Sequence, residues 1–206
     1  MSPSGPRIKP LPREQWSPQM QVALEAMRPP TPRHFVPPPG GRPGRPKALG
    51  TLGTFAYHPD LAQAFLTFNG HILYGTTLTL RQREILVLRV AAVLRSSYGW
   101  GQHLVHKGDA GLSDEEIARI AFGPEAPFLD PVEQAMLRAV DELLGDGEIG
   151  DTTWKALAEH FDERQLLDLI FTVGTYTILD WMADSIGFQL EPDILSTAGP
   201  GNTPAE

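Results

Sequence analysis

The chain has 206 residues, 41% hydrophobic and 20% charged, which is enough for one well-cored domain. It has no cysteine, so disulfides, thiolate metal sites and a cysteine nucleophile are excluded. The net charge of −8 argues against general nucleic-acid binding, but it is unevenly spread. Residues 1–48 hold eight Lys/Arg and two Glu (+6), whereas residues 49–206 hold nine Lys/Arg and 23 Asp/Glu (−14).

Thirteen of the 20 prolines fall in the first 46 residues. The run "PPTPRHFVPPPGGRPGRPK" cannot be helix or central strand, because each proline lacks an amide donor and restricts its predecessor. Residues 1–48 therefore read as a Pro-rich basic arm, lying on the acidic body of its own or a neighbouring subunit. One short helix precedes the extended run, with Ser17 as cap, Pro18 in the first turn and Met20, Ala23, Leu24 and Met27 as its apolar face. No apolar run has membrane-spanning length, and "MSPSGPRIKPLPREQW" has no signal-peptide core. The expectation is a soluble cytoplasmic protein with neither membrane nor nucleic acid as partner.

From residue 58 onward the pattern is helical. "HPDLAQAFLTFNGHILYG" places Leu61, Phe65, Phe68 and Ile72 on one face. "TLRQREILVLRVAAVLR" is apolar on most faces, the pattern of a helix buried in a bundle or an oligomer. "LSDEEIARIAF" opens with Ser113 and Glu116 spaced as a capping box, and "DPVEQAMLRAVDELL" with Asp130 and Pro131. "DTTWKALAEHF" starts at Asp151 as a cap, and "RQLLDLIFTVGTYTILDWMADSIGF" reads as one long apolar helix. No segment has the period of a strand, so the fold is expected to be all-α. The body spans 49–192, followed by a flexible tail at 193–206.

"LTLRQREILVLRVA" and "GLSDEEIARI" have the look of a DNA-binding helix-turn-helix. That motif needs a tight turn, and here 26 residues separate Glu84 from Gly111. A second helix carrying Asp114, Glu115 and Glu116 would also be a poor groove reader. The DNA reading is rejected.

The same stretches, joined by "SSYGWGQHLVH", resemble the core of the carboxymuconolactone decarboxylase and alkylhydroperoxidase D (AhpD) superfamily. The spacing carries the likeness: Glu84, then Ser96, Gly99 and His103 at twelve, fifteen and nineteen residues further on. It extends over roughly residues 50–192. In the redox members the twelfth and fifteenth positions are a Cys-x-x-Cys pair, and glutamate and histidine complete a proton relay. Ser96 and Gly99 stand at both cysteine positions here, so thiol peroxidase chemistry is not available. Non-thiol members often read "SEYEWGQH", and this chain has Ser97 and Gly99 in place of those two glutamates. The resemblance implies an AhpD-like multihelical bundle that exchanges helices in trimers or hexamers.

Several side chains in this frame can do chemistry. Glu84 is costly to bury unpaired, so it either ionises against His103 or an arginine, or its pKa rises and it acts as an acid or base. Arg95 shares its helical stripe, about 16 Å along the axis, and can anchor a substrate carboxylate. Gly99, His103 and His106 share a face, and a glycine one turn before His103 leaves a hollow beside an imidazole suited to proton transfer. Tyr98 and Trp100 read as walls, and Ser96 as a helix cap or an oxyanion donor. His71, Tyr74 and Tyr176 are candidates through the resemblance or their polarity.

The leading functional reading is a non-redox enzyme using His103 and Glu84 for proton transfer on a small carboxylated or carbonyl substrate, by decarboxylation, dehydration or isomerisation. No cofactor is expected. A metal site of His103, His106 and Glu84 stands as an alternative. So does a non-catalytic ligand-binding or assembly protein on the same scaffold.

Overall fold

The computed structural model describes residues 5–37, 48–191 and 194. Residues 38–47 of the arm and the tail from 193 onward, Ile194 excepted, lie outside the described residues. Nine α-helices and no strand occur among those described: α1 (Pro18–Ala26), α2 (Leu49–Phe55), α3 (Pro59–Gly70), α4 (Leu80–Leu94), α5 (Ser97–Leu104), α6 (Asp114–Phe122), α7 (Pro131–Gly145), α8 (Asp151–Ala158) and α9 (Glu163–Ile186). The chain is all-α.

Local chemistry sets most helix starts. Ser17, Ser96 and Asp130 accept backbone N–H bonds at the openings of α1, α5 and α7. Full capping boxes open α4 (Thr79 with Gln82), α6 (Ser113 with Glu116) and α9 (Asp162 with Gln165). The expected cap at Asp151 is corrected: Gly150 takes the N-cap of α8 and Asp151 is its first helical residue. There its charge still favours the positive end of the helix dipole.

α4 is the axis of the body. Every residue from Glu84 to Ala91 is buried, and α5, α6, α7 and α9 pack around it. The cover that its apolar faces demand thus comes from the same chain. Each fully buried leucine here, such as Leu86 and Leu88, contributes about 1.5–3 kcal/mol of burial free energy.

A second, smaller core joins the arm to the body. Met20 and Ala23 of α1 are fully buried against Ala62 and Leu66 of α3, with Phe55 and Ala56 of the α2 end. This docking rotates α3 from the face expected for it. Leu61 is exposed, Ala62 and Leu66 take the core, and Phe65 and Phe68 are half-buried; Ile72 alone of that set is fully buried. The close approach needs Gly70, where a Cβ would fall 2.3 Å from the Met27 carbonyl oxygen. Beyond α1 the backbone N–H groups of Arg33 and His34 donate to the Tyr74 carbonyl. Residues 13–37 are thereby laid across the ends of α3 and α4.

Candidate active site

α4 ends at Leu94, and Arg95 follows in the left-handed region with φ 56°. That residue turns the chain back so that α5 runs beside α4. Ser96 caps α5 by accepting the Gly99 N–H at 3.3 Å, and its hydroxyl donates to Asp184 at 3.3 Å. The turn brings His103, nineteen residues along the chain, against Glu84. His103 Nδ1 lies 2.7 Å from Glu84 Oε2.

Glu84 is 2% exposed and both its oxygens are engaged. Arg83 donates to Oε1 through Nη2 at 3.0 Å and Nε at 3.3 Å, while its Nη1 binds the Leu73 carbonyl at 2.6 Å. Burial alone would raise the Glu84 carboxyl, but the charge and hydrogen bond of His103, with Arg83 behind, hold it at about 2. The glutamate is an anion clamped between a cation and an imidazole. With Nδ1 turned to Glu84, Nε2 is the His103 nitrogen left for a ligand. The Tyr176 ring meets the imidazole edge-on at 4.9 Å, and the His106 ring lies at 5.8 Å.

Across the site stands a residue that the sequence reading missed. Asp180, on α9 one turn after Tyr176, is 4% exposed and lines the same cavity. A Cβ at Gly99 would lie 2.1 Å from Asp180 Oδ1 and 2.8 Å from its Cγ. The hollow expected at Gly99 is thus occupied by the Asp180 carboxyl. Burial pushes that carboxyl up to about 7, against the pull of a Ser96 hydrogen bond and the His103 charge, with Asp184 adding to the rise. The site therefore sets an ionised carboxylate behind an imidazole and a second carboxyl that still carries its proton near neutrality.

A cavity of about 590 Å³ opens onto these groups. Glu84, Gly99, His103, His106, Tyr98, Tyr176 and Asp180 line its inner end. Its outer part is walled by Trp16, Leu24 and Phe35 of the arm facing Leu52, Phe65 and Leu179 of the body. Tyr98 is fixed by Thr51 at 3.4 Å and stacks edge-on against Phe188, and burial pushes its phenol up to about 12.

The other candidates lie elsewhere. Arg95 is exposed and off the Glu84 stripe, because the left-handed turn removes it from the helix. Trp100 is buried in the main core, and Ser96 sits behind Gly99 as the α5 cap. His71 belongs to a separate cluster at the end of α3, where Nε2 meets Asp168 at 2.6 Å while Thr77 donates twice to the other oxygen. For a metal, the set His103, His106 and Glu84 is poorly disposed, since Glu84 and Nδ1 of His103 are spent on each other and on Arg83. No group of three or more His, Asp or Glu fit to hold a metal occurs among the described residues.

This arrangement of helices is shared with solved AhpD-like structures. A peroxidase-related protein with an alkylhydroperoxidase AhpD core from Ralstonia eutropha JMP134 superposes with TM-score 0.69 at 18% identity, covering 92% of this chain and 94% of that one. The debrominase Bmp8 in its apo form gives 0.68 at 16% identity, over 91% and 94%. A peroxidase-related protein from Silicibacter sp. TM1040 gives 0.64 at 16% identity, over 93% and 92%. The fold is AhpD-like. Residues 59–142, which hold α3 to α6, the Glu84–His103 pair and most of α7, match the model of the carboxymuconolactone decarboxylase family. A search of curated protein sequences finds no match.

Proposed function

We propose that the protein is a non-redox enzyme that moves a proton to or from carbon beside a carbonyl group. The observation that carries this reading is the 2.7 Å Glu84–His103 pair at the inner end of a cavity whose far side presents the Asp180 carboxyl. His103 Nε2 takes the proton, and the C–H electron pair becomes the carbon–carbon double bond of an enol. Asp180 gives its proton to the carbonyl oxygen in the same step, so no oxidant or cofactor is required. Where the substrate has a β,γ double bond the product of this step is a dienol. Return of the proton from His103 to its γ carbon, with Asp180 recovering its own as the carbonyl re-forms and the double bond moves into conjugation, completes an isomerisation. Glu84 holds the imidazole in one orientation and steadies the imidazolium that forms.

The lining narrows the substrate. Arg83 is committed to Glu84 and Leu73, while the buried carboxyls of Glu84 and Asp180 make the inner end acidic. A carbonyl suits that end better than a carboxylate; any carboxylate belongs at the outer end, where Arg13 and Arg28 stand. The apolar walls suit an aromatic or alicyclic body, and the volume falls in the range of ordinary ligand sites, about 300–1,000 Å³. A cysteine-to-alanine form of the debrominase Bmp8 in complex with 2,3,4-tribromopyrrole is in keeping with a ring-sized ligand on this fold.

The test is a thermal-shift screen of cyclic ketones, lactones and aromatic aldehydes, run on the wild type and His103→Asn, with hits incubated in D2O. Ligands that stabilise both proteins, with deuterium entering the carbon next to the carbonyl only in the wild type, are the expected result. Equal stabilisation with no exchange in either protein would make the site a binding pocket and end the enzyme reading.

A further inference from the structure

Four buried side-chain atoms among the described residues have no hydrogen-bond partner: Asn69 Oδ1, Trp100 Nε1, Thr172 Oγ1 and Glu191 Oε1. Buried polar atoms are almost always paired, so each orphan asks for a reason. Of the four residues, Asn69 lines the cavity and the others do not. It is 8% exposed, and its oxygen is shut off from bulk water. Asparagine is a poor helix former that is favoured at caps and turns, where its side chain bonds nearby backbone. Here it stands one residue before the end of α3, and its oxygen makes no such bond.

Its neighbours in the wall are apolar. Phe65 and Leu66 on α3, Leu24 and Met27 at α1 and Leu73 just beyond α3 line the same cavity. The docking of α1 closes this wall, since Gly70, next to Asn69, comes so near Met27 that no side chain fits between them. From His71 to Gly75 the chain widens into a π-helical turn, a local feature frequent at functional sites. The Leu73 carbonyl in that turn holds Arg83 Nη1 at 2.6 Å, and Arg83 in turn holds Glu84. One continuous segment thereby sets Asn69 in a fixed place relative to the Glu84–His103 pair.

We infer that Asn69 is a specificity-determining residue that pairs with a hydroxyl on the substrate, which makes the substrate class a hydroxylated cyclic or aromatic carbonyl compound. The carbonyl rests on the proton-transfer reading above; the hydroxyl is argued from Asn69 alone. An amide has an oxygen that accepts and an NH2 that donates. A hydroxyl both donates and accepts, so it answers the buried oxygen and has a lone pair left for the NH2. A ring without a donor would press Asn69 Oδ1 against carbon, desolvated and unpaired. That is the situation in which a site rejects an analogue lacking its hydroxyl most strongly. A carboxylate or an ether oxygen brings only lone pairs and leaves the oxygen unpaired as well. An ammonium group would donate, but at the cost of stripping a cation of water inside an apolar wall. Asn69 touches no reacting atom. Its part is to register the ring so that the carbonyl faces Asp180.

Titration calorimetry of acetophenone and its ortho, meta and para hydroxy derivatives, on the wild type and Asn69→Leu, tests the inference. In the wild type at least one hydroxyacetophenone is expected to bind about tenfold or more tighter than acetophenone. Leucine is close to asparagine in shape and has nothing to pair, so the variant should melt at or above the wild-type temperature. Its preference for the hydroxyl should fall to within about twofold, and acetophenone should bind it at least as well as it binds the wild type. Asn69→Ala, which needs less room, gives the same comparison should the leucine variant fail to fold. Equal binding of all the ketones by the wild type, no binding of any of them, or a hydroxyl preference that survives removal of the amide would overturn the inference. Incubating the same ligands with the wild type in D2O keeps this result apart from the enzyme reading. A hydroxyl preference carried by Asn69 with no deuterium in the methyl group leaves the inference standing and removes the enzyme, whereas exchange without the preference does the reverse.

Discussion

Replacing Gly99 by alanine tests the contact on which the site is built. The added Cβ would meet Asp180 Oδ1 at 2.1 Å, Cγ at 2.8 Å and Oδ2 at 2.9 Å, where ordinary contacts begin near 3.4 Å. The carboxyl must therefore move by more than an ångström in a region that is almost fully buried. Overpacking of this kind costs about 1–3 kcal/mol. Asp180→Ala alone removes the obstruction and leaves a small void, which the alanine at 99 then helps to fill. In a double-mutant cycle read by urea denaturation, Gly99→Ala should destabilise the wild type by about 2 kcal/mol and the Asp180→Ala background by much less. A coupling of about 1–3 kcal/mol is expected for groups in direct contact. Strictly additive effects would show that the Asp180 carboxyl does not occupy the space beside Gly99, and the account of the inner site would fail with it.

Other consequences concern protons and walls. The Asp180 carboxyl rises from 3.8 to about 7 on folding, so the native state binds its proton more tightly than the unfolded chain does. Its contribution is fully present below pH 3.8 and is lost as pH rises through 7. At about 1.36 kcal/mol per unit, Asp180→Asn should gain on the wild type by up to about 4 kcal/mol between pH 4 and pH 9 in urea melts. Glu84 has the opposite sign: its fall from 4.5 to about 2 gives stability that is present above pH 4.5 and lost as pH drops towards 2. Glu84→Gln should therefore cost about 3 kcal/mol at neutral pH, and the deficit should shrink on acidification. His71→Ala and Arg95→Ala should leave ligand binding within twofold of wild type by calorimetry, since neither lines the cavity. Trp16→Ala, which strips one apolar wall, should weaken binding of a hydrophobic ligand about tenfold or more in the same assay.

The helices were legible because their signals are local. Capping residues such as Ser17, Ser113 and Asp130 and the apolar period of α4 act within a few residues, and they mark the same positions in the structure. Failures came where tertiary packing decided between near-equal options. On α3 the choice between Leu61 and Ala62 for the core depended on α1 docking from more than thirty residues upstream, which no local period encodes. Arg95 looked like a member of the Glu84 stripe because a left-handed residue at a helix end cannot be read from spacing. The Glu84–His103 pairing followed from spacing plus resemblance, whereas Asp180 arrives from α9, 77 residues after His103. A signal for it did exist. Asp180 is a carboxylate inside a long apolar run, one helical turn after Tyr176, and such a charge is expensive to bury without a use.

The central claim is that one carboxyl in this cavity is ionised against an imidazole while another keeps its proton near neutrality. Carbon-13 NMR titration of protein labelled at the Asp and Glu carboxyl carbons measures both at once, with Glu84→Gln and Asp180→Asn supplying the assignments. One Asp resonance titrating near pH 7 and absent from Asp180→Asn, together with one Glu resonance unchanged down to about pH 3 and absent from Glu84→Gln, is the predicted result. If every carboxyl instead titrates between about 3 and 5, the two groups are ordinary solvated acids and the proton-transfer site does not exist.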